Sequence, residues 1–248
     1  MSETRELLIE IGTEELPPLA LRRLAEAFRS GMDRLLAEHH LEHGASHAWA
    51  SPRRLAVQVE DVPLAQPDRE VVRRGPNMIA AFDEEGNPTR PAEGFARSCG
   101  VAVAELDQLE TPKGSFLAYR AVETGKPAGD VIPGLVEQAL KGLPVPKRMR
   151  WGDSDVEFVR PVHWVLLLHG TESLPAEILG VHADRYTRGH RFHCNEPLAV
   201  SEPAAYIDTL RDTGRVLADM DARRDTIHDA VQAAGRALGG TAHIEDEL

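Results

Sequence analysis

Six short strings in this chain combine glycine or proline with charged side chains, which in five of the six are arginines. In chain order they are IGTEELPP (residues 11–18), SPRRLA (51–56), VRRGP (72–76), PKRMRW (146–151), FVRPVHW (158–164) and RGHRF (188–192). The guanidinium group of arginine is a planar fork of donors that fits a phosphate or a carboxylate. Glycine gives the neighbouring backbone conformational freedom, and proline restricts it. The strings therefore indicate recognition of anionic groups.

Two arginine pairs lie at the ends of predicted strands. Arg53 and Arg54 follow a proline, and Arg73 and Arg74 precede a Gly-Pro dipeptide. One interpretation is a solvated or ion-paired face. The other is contact with RNA phosphates, because RNA is recognised largely through its backbone and shape.

The densest basic cluster contains Lys147, Arg148 and Arg150, followed directly by Trp151. Basic residues beside an aromatic ring suit stacking on an unpaired base together with phosphate neutralisation. They suit a subunit interface equally well, since Trp and Arg are common anchors there. The cluster predicts a contact surface of one of these two kinds.

Glu14 and Glu15 lie at a predicted strand-to-helix junction, where the helix dipole and free N–H groups favour carboxylates. As alternatives, the pair could act as acid and base, or bind arginines of a partner. The sequence offers no third catalytic group beside them. It also lacks a Walker loop, a Gly-x-Ser-x-Gly elbow and an H-E-x-x-H helix. These observations predict a module without catalytic residues.

The segments around residues 160 and 190 raise two further points. Arg160 opens an apolar run predicted to be a buried strand, so it must be paired, because an isolated buried charge is costly. Arg188 and Arg191 belong to a loop that could face that strand. Nearby are four potential zinc ligands, His182, His190, His193 and Cys194. Their spacing matches no closed four-ligand pattern, so no metal site is predicted.

The apolar periodicity predicts an α+β fold with a mixed, mostly antiparallel sheet or sheets, packed helices and a helical C-terminal segment. The predicted strands cover residues 5–11, 47–49, 54–60, 69–74, 115–123, 162–169 and 177–182. The predicted helices begin at the prolines of 17–18 and run to near 40, and then cover 91–99, 128–140, 203–211 and 219–238. These elements suggest an α+β body over 1–197, with a subdomain division near 125–145, and a helical segment over 198–248.

Three details of that prediction concern packing. Gly12 is expected to end the first strand, and strand 69–74 is expected to pair beside strand 54–60. The last helix is expected to have one apolar side, formed by Met220, Ile227, Val231, Ala234 and Leu238.

Composition limits the class of protein. A hydrophobic fraction of 42% supports a folded core, and no apolar run reaches the length of a membrane helix. The net charge of -12 argues against non-specific binding of nucleic acid by the whole surface, although a local basic face is compatible with it. Two distant cysteines and a polar N-terminus favour a reduced, cytoplasmic protein.

In this order and spacing, the six strings resemble the N-terminal part of the beta subunit of bacterial tetrameric glycine–tRNA ligase (glycyl-tRNA synthetase). The resemblance covers nearly the whole chain but only about the first third of such a subunit. It implies that the chain is a piece of a longer protein. The HD-type and anticodon-binding domains of such a subunit come later and are not part of this piece.

The resemblance also implies a function. Enzymes of this family use ATP to form glycyl-adenylate and then transfer glycine to tRNA-Gly. In their alpha2beta2 tetramer, the alpha subunit holds the aminoacylation site with ATP and Mg. This segment is expected to carry no cofactor and to be inactive alone. Its expected partners are the alpha subunit, the rest of the beta subunit and tRNA-Gly, but neither DNA nor a membrane.

The residues expected to face tRNA or a protein partner are the basic and aromatic members of the strings. They are Arg53, Arg54, Arg73, Arg74, Lys147, Arg148, Arg150, Trp151, Arg188 and Arg191. Two other classes of function compete with this one. The chain could be a pure assembly module whose arginines form ion pairs. It could also be an independent phosphate- or nucleotide-processing enzyme that uses Glu14, Glu15 and the histidines.

Overall fold

The computed structural model describes residues 3–145 and 147–244. Pro146 of the PKRMRW string and the acidic residues 245–247 lie outside the described residues. The chain forms two compact units, one of Met1–Ala65 with Pro127–Leu248 and the other of Gln66–Lys126. The segment after residue 198 belongs to the larger unit.

The strands are β1 Thr4–Thr13, β2 Ser46–Ser51, β3 Arg54–Pro63, β4 Arg69–Asn77, β5 Asp107–Thr111, β6 Gly114–Glu123, β7 Met149–Arg150, β8 Glu157–Phe158, β9 Val162–His169, β10 Glu172–Ser173, β11 Glu177–Ile178, β12 Val181–Asp184, β13 Tyr186–Arg188 and β14 Pro197–Ala199. The α-helices are α1 Leu21–Glu38, α2 Met78–Ala81, α3 Arg90–Cys99, α4 Ala128–Lys141, α5 Tyr206–Asp208 and α6 Met220–Ala237. Short 3-10 or π turns cover Pro18–Ala20, Val103–Glu105, Pro203–Ala205 and Thr209–Thr213. The predicted α+β class with mostly antiparallel sheets is confirmed.

A seven-stranded sheet forms the centre of the larger unit, in the order β11-β12-β9-β1-β3-β2, with β10 added beside β9. Its pairs are antiparallel except β12 with β9. Both faces of β1 are buried. Leu7, Ile9 and Ile11 join the core formed with α1 and α4, whereas Leu8 packs on the opposite face with Tyr206. This is why β1 has a nearly continuous apolar run rather than strict alternation.

Helix α1 follows its predicted periodicity. The seven residues predicted to form its apolar side are all buried in the structure: Leu21, Leu24, Ala25, Phe28, Met32, Leu35 and Leu36. A short 3-10 turn beginning at Pro18 leads into the helix, in agreement with the predicted role of the two prolines.

The smaller unit contains a three-stranded sheet in the order β4-β6-β5, with α2 and α3. Its small core contains Ala81, Ala92 and Leu117. The prediction that strand 69–74 pairs beside strand 54–60 is wrong, because both edges of β3 are already occupied by β1 and β2. Strand β4 instead pairs with β6, from Arg69 opposite Glu123 to Asn77 opposite Phe116.

Two other sequence-based expectations differ from the structure. The predicted strand 177–182 is a hairpin of β11 and β12, whose turn at Leu179 and Gly180 has φ of 52° and 77°. Helix α6 has its predicted length, but it contains no buried residue, and Ile227 and Val231 are exposed. Periodicity identifies the apolar side of a helix but not whether anything covers it.

No helix in residues 3–145 and 147–244 is both long and apolar enough to cross a membrane.

Candidate anion-binding site at the end of the main sheet

Four of the six strings meet at one end of the seven-stranded sheet. Because β1 is antiparallel to β3 and β9, the end of β1 lies beside the beginnings of both neighbours. Gly12 is the register partner of Arg54 on one side and of Trp164 on the other. We call the loops at this end the sheet-end site, comprising residues 14–15, 52–53, 163 and 189–192.

Backbone hydrogen bonds join three of these strings. Thr13 N–H donates to the carbonyl of Arg53 (2.8 Å), Glu14 N–H to that of Pro161 (3.0 Å) and Leu16 N–H to that of Pro52 (2.7 Å). The loops are therefore positioned by the sheet rather than by flexible side chains.

A buried polar network lies directly beneath the site and attaches the fourth string. Glu10 Oε1 accepts hydrogen bonds from Arg54 Nη1 (3.2 Å), Trp164 Nε1 (2.7 Å) and Thr187 Oγ1 (2.9 Å). Arg54 also donates through Nε to Ser51 Oγ (3.0 Å) and through Nη2 to the carbonyl of Arg188. Because every guanidinium nitrogen of Arg54 is bonded within the chain, its charge is compensated despite burial.

Gly12 is needed for close packing rather than for a strand end. Strand β1 continues to Thr13, and a Cβ at Gly12 would overlap the indole ring of Trp164. The guanidinium carbons of Arg53 and Arg54 each lie 5.7 Å from the centre of that ring. The expectation that Gly12 ends the strand is wrong, because glycine is required for the approach of the ring.

Tyr206 closes the network on the far side. Burial, together with the negative charge of Glu10, raises its pKa well above the usual value, so the hydroxyl stays protonated. Glu10 Oε2 and the Tyr206 hydroxyl are both buried without a hydrogen-bond partner among the described residues. One is an acceptor and the other a donor, so a small adjustment would satisfy both.

At the surface, the Glu14 carboxylate lies near side chains from three of the other strings. Its carboxylate lies 2.8 Å from His163 Nε2, 3.7 Å from Arg53 Nη2 and 3.8 Å from Arg191 Nη2. Glu15 forms an ion pair with the same Arg191 nitrogen. The helix-capping interpretation of these glutamates is wrong, because α1 begins only at Leu21 and neither its first turn nor the 3-10 turn before it has a side-chain cap. Their arginine partners lie in their own chain.

Arg160 lies just before β9, outside the buried strand in which its charge would need a partner, and it is half-buried. Its Nε donates to the carbonyl of Glu15 (3.0 Å) and its Nη1 to that of Val159 (2.9 Å).

The loop at residues 189–194 is held tightly. A Cβ at Gly189 would lie 2.6 Å from the carbonyl oxygen of Gly214 and 2.7 Å from that of Cys194. His190 N–H donates to Gly214 O (2.7 Å), and His190 O accepts from Cys194 N–H (2.8 Å). The loop places the Phe192 ring in solvent, with 82% of the residue exposed.

A cavity of about 390 Å³ opens beside this loop. Its charged lining consists of five arginines and one glutamate: Arg53, Arg54, Arg191, Arg215, Arg223 and Glu15. His190 and Phe192 complete one wall. Such a lining suits a phosphate or carboxylate group.

The PKRMRW string lies elsewhere in the larger unit, after α4. Lys147 is exposed, Arg148 Nη2 donates to the carbonyl of Lys141 (2.7 Å), and Arg150 pairs with Asp155 and Glu157. Trp151 packs against the main core. The hollow around Arg148 and Arg150 is also lined by Glu137, Asp155, Glu157 and Glu177, which makes it a poor site for an anion.

The remaining predicted residues are distributed over both units. In the smaller unit, Arg73 donates to the carbonyl of Ser98 (3.3 Å), and the Arg74 guanidinium lies 4.5 Å from the Phe116 ring centre. In the larger unit, Arg188 ends β13 and its side chain is half-buried. Within the larger unit, the structure thus brings Arg53, Arg54, Arg188 and Arg191 together and places Lys147, Arg148, Arg150 and Trp151 elsewhere, whereas Arg73 and Arg74 belong to the smaller unit.

The potential zinc ligands form no metal site in the described part of the chain, where no group of three or more His, Cys, Asp or Glu side chains could hold an ion. The centres of the His190 and His193 rings instead lie 4.5 Å apart with the rings tilted by 32°, and Cys99 and Cys194 are both free thiols.

Sequence reasoning missed four residues in or beneath the site: Glu10, Thr187, Arg215 and Arg223. Glu10 could have been noticed as a carboxylate inside an apolar strand, since such a group must be paired. Arg215 has φ of 58°, a conformation that the sequence does not reveal. Nothing in the sequence around Thr187 predicts that its hydroxyl donates to Glu10.

Comparisons with known proteins identify the family of the chain. Residues 7–248 match the family described as "Glycyl-tRNA synthetase beta subunit". The chain is 49% identical over 246 residues to the glycine–tRNA ligase beta subunit of Marinobacter nauticus, covering 99% of this chain and 36% of that protein. It is 50% identical over 241 residues to that of Edwardsiella ictaluri (97% and 35%), and 48% identical over 248 residues to that of Cronobacter sakazakii (100% and 36%). The chain spans about a third of the length of these curated relatives, and it belongs to the glycyl-tRNA synthetase beta-subunit family.

Proposed function

We propose that this chain is the N-terminal part of a glycine–tRNA ligase beta subunit and supports the ATP-dependent attachment of glycine to tRNA-Gly. It does so by assembling with the alpha subunit and the rest of the beta subunit in an alpha2beta2 tetramer, and by contacting tRNA. ATP and Mg bind at the aminoacylation site of the alpha subunit, in the cytoplasm. The chain alone does not aminoacylate.

The observation that carries the tRNA contact is the meeting of four strings at the sheet-end site. Side chains separated by up to 177 positions, as in the hydrogen-bonded pair of Glu10 and Thr187, form a buried network that fixes the loops above it. A fold that only needed a stable sheet would not have to place an exposed aromatic ring beside an arginine-lined cavity. An RNA-contacting surface uses both groups.

A pure assembly module is the second candidate, and a specific observation favours it. Most of the arginines predicted to face a partner are bonded within the chain: Arg54, Arg73, Arg148, Arg150 and Arg191. Arginines used in this way stabilise loops and leave fewer donors for phosphates.

A titration with tRNA-Gly separates the two candidates. The chain is titrated alone and together with alpha subunit, at about 50 mM and about 200 mM salt, where phosphate contacts lose much of their affinity. Saturable binding that weakens steeply with salt supports RNA contact. A stable complex with the alpha subunit and no RNA binding by the chain supports assembly alone.

A third class, an independent phosphate-processing enzyme, has less support from the geometry. In the structure, the Glu14 carboxylate lies 2.8 Å from His163 Nε2 and Glu15 is paired with Arg191, so both carboxylates already have partners within the chain.

A further inference from the structure

We propose that the arginine-lined cavity of the sheet-end site binds a single phosphate group of an RNA strand, and that Glu15 occupies Arg191 until that phosphate replaces it. This inference rests on the proposed contact with tRNA and assigns it to one place. The ligand is a backbone phosphate whose neighbouring base stacks on Phe192.

Donors in the cavity are available for such a group. Arg215 is exposed, and no hydrogen bond or ion pair of its side chain occurs within the described residues. Arg53 Nε is buried and has no acceptor among the described residues. At 3.7 Å, the separation of Arg53 Nη2 from Glu14 is too long for a hydrogen bond.

Arg223 adds positive charge that carboxylates do not neutralise directly. Its Nη1 donates to the carbonyls of Ala50 (2.8 Å) and Leu217. Burial lowers the pKa of this guanidinium from its ordinary value, and the negative charge of Asp219 offsets only part of the cost of that burial. An anion in the cavity would offset that cost.

Glu15 is the one carboxylate among the cavity-lining residues, and its position allows a phosphate to displace it from Arg191. Its side chain is 60% exposed, and its ion pair with Arg191 lies at the rim. Exposed ion pairs contribute little stability, so a backbone phosphodiester, which carries one negative charge, can compete with Glu15 for Arg191. Glu14 stays behind as the fixed partner of His163.

Phe192 favours RNA over an acidic protein segment. The ring is almost fully exposed on a loop that Gly189 and Gly214 hold in place, and the Arg191 guanidinium lies 5.9 Å from its centre. An exposed ring fixed beside a phosphate site provides a stacking platform for a base. An acidic peptide would use the arginines but not the ring.

The test measures binding of a fluorescent six-nucleotide single-stranded RNA to this chain and its variants at low salt. Arg215→Gln is expected to weaken binding on the order of tenfold, because one phosphate contact is lost. Phe192→Ala is expected to weaken it on the order of tenfold as well, through lost stacking. Glu15→Gln is expected to tighten binding by about threefold or more, because Arg191 is released.

The control variant is Arg224→Gln, an exposed and ion-paired arginine of α6 that does not line the cavity. Its RNA affinity should not change. Thermal midpoints of all four variants check folding. A purely structural role for the Glu15–Arg191 pair predicts the opposite sign for Glu15→Gln, since losing the pair would loosen the loop and weaken any binding.

Other outcomes overturn the proposal in distinguishable ways. If Glu15→Gln and Arg215→Gln both leave RNA affinity unchanged, the cavity is not the site. If tRNA-Gly still binds these variants as tightly as the unaltered chain, the proposed function stands but its place is different. If a hexaglutamate peptide binds as well as RNA and Phe192→Ala has no effect, the cavity is a docking site for a protein carboxylate. Inorganic phosphate that competes for the cavity without an effect of Phe192→Ala would mean that free phosphate, not RNA, is the ligand.

Discussion

Arg54 and Glu10 form an ion pair in the interior of the larger unit, where Arg54 is 2% exposed and Glu10 is 0% exposed. The pair connects β1 to the start of β3, and Thr187 and the carbonyl of Arg188 extend it to β13. Two successive arginines therefore have different roles. Both line the cavity, but all the guanidinium nitrogens of Arg54 are bonded within the chain, whereas Arg53 Nε has no acceptor among the described residues.

The first prediction concerns this pair. Arg54→Gln should lower the free energy of unfolding by about 3–5 kcal/mol, because it leaves the carboxylate of Glu10 buried without a cation. The double variant with Glu10→Gln should lose less than the sum of the two single variants. Denaturant unfolding of the three variants measures this coupling. The neighbouring Arg53→Gln is the control and should cost less than about 1 kcal/mol. If the double variant loses as much free energy of unfolding as the two single variants together, Arg54 and Glu10 are not coupled.

The second prediction concerns Gly12. Gly12→Ala should destabilise the chain by about 1–3 kcal/mol or more, because the added methyl group overlaps the Trp164 ring and displaces its Nε1 from Glu10. The control is Gly134→Ala in α4, where an added Cβ meets nothing within 4 Å. That helical substitution should stabilise by roughly 0.5–1 kcal/mol. Equal effects of the two substitutions in thermal unfolding would show that the close approach of Trp164 is unimportant.

The third prediction concerns pH. Burial lowers the pKa of His169 below its ordinary value of 6.5, and its Nε2 lies 3.0 Å from the carbonyl oxygen of Val62. The unfolded chain therefore takes up a proton at this histidine before the folded chain does. Its contribution to stability is complete above about pH 6.5 and is lost as pH falls from there through the lower pKa of the folded chain. The loss amounts to about 1.4 kcal/mol for each pH unit that separates the folded and unfolded pKa values.

A comparison of melting temperatures between pH 7.5 and pH 5.5 checks this prediction. His169→Gln should reduce the fall in melting temperature between pH 7.5 and pH 5.5, since glutamine can donate to the same carbonyl without titrating. The exposed His182 provides the control, and the melting temperature of His182→Gln should fall with pH as much as that of the unaltered chain. If the melting temperature of the His169 variant falls as much too, protonation of His169 does not contribute.

The parts of the fold that follow from local pattern are those the sequence predicts well. The seven buried positions of α1 repeat with helical spacing, and the apolar run of β9 identifies a buried strand. The pairing of β4 could not be predicted, because pairing depends on which strand edges are already occupied. For the site, the strings identify the loops, but nothing in two adjacent arginines tells which one is buried. That depends on the carboxylate of Glu10, which is distant in sequence.

The fourth prediction concerns α6. The double variant Ile227→Ser, Val231→Ser should change the free energy of unfolding by less than about 0.5 kcal/mol, because both side chains are exposed in this chain. Leu24→Ala in α1 is the contrasting substitution. Leu24 is buried, and its truncation should cost about 2–5 kcal/mol. A large loss in the α6 variant would show that its apolar side is packed after all.

The fifth prediction concerns Lys147. Replacing Lys147, Arg148 and Arg150 together by alanine should weaken tRNA-Gly binding by the assembled ligase, but the structure separates their roles. Arg148 bonds to the last carbonyls of α4, so its loss should also cost stability, by about 0.5–1.5 kcal/mol. Lys147→Ala alone is the cleaner variant, because Arg150 is paired with Asp155 and Glu157, and it should reduce the salt dependence of binding by about one phosphate contact. Lys113→Ala, an exposed lysine of the smaller unit, is the matched control. Unchanged tRNA affinity at an unchanged melting temperature would show that these residues do not contact RNA, and would leave Arg148 and Arg150 with the bonds they make inside the chain.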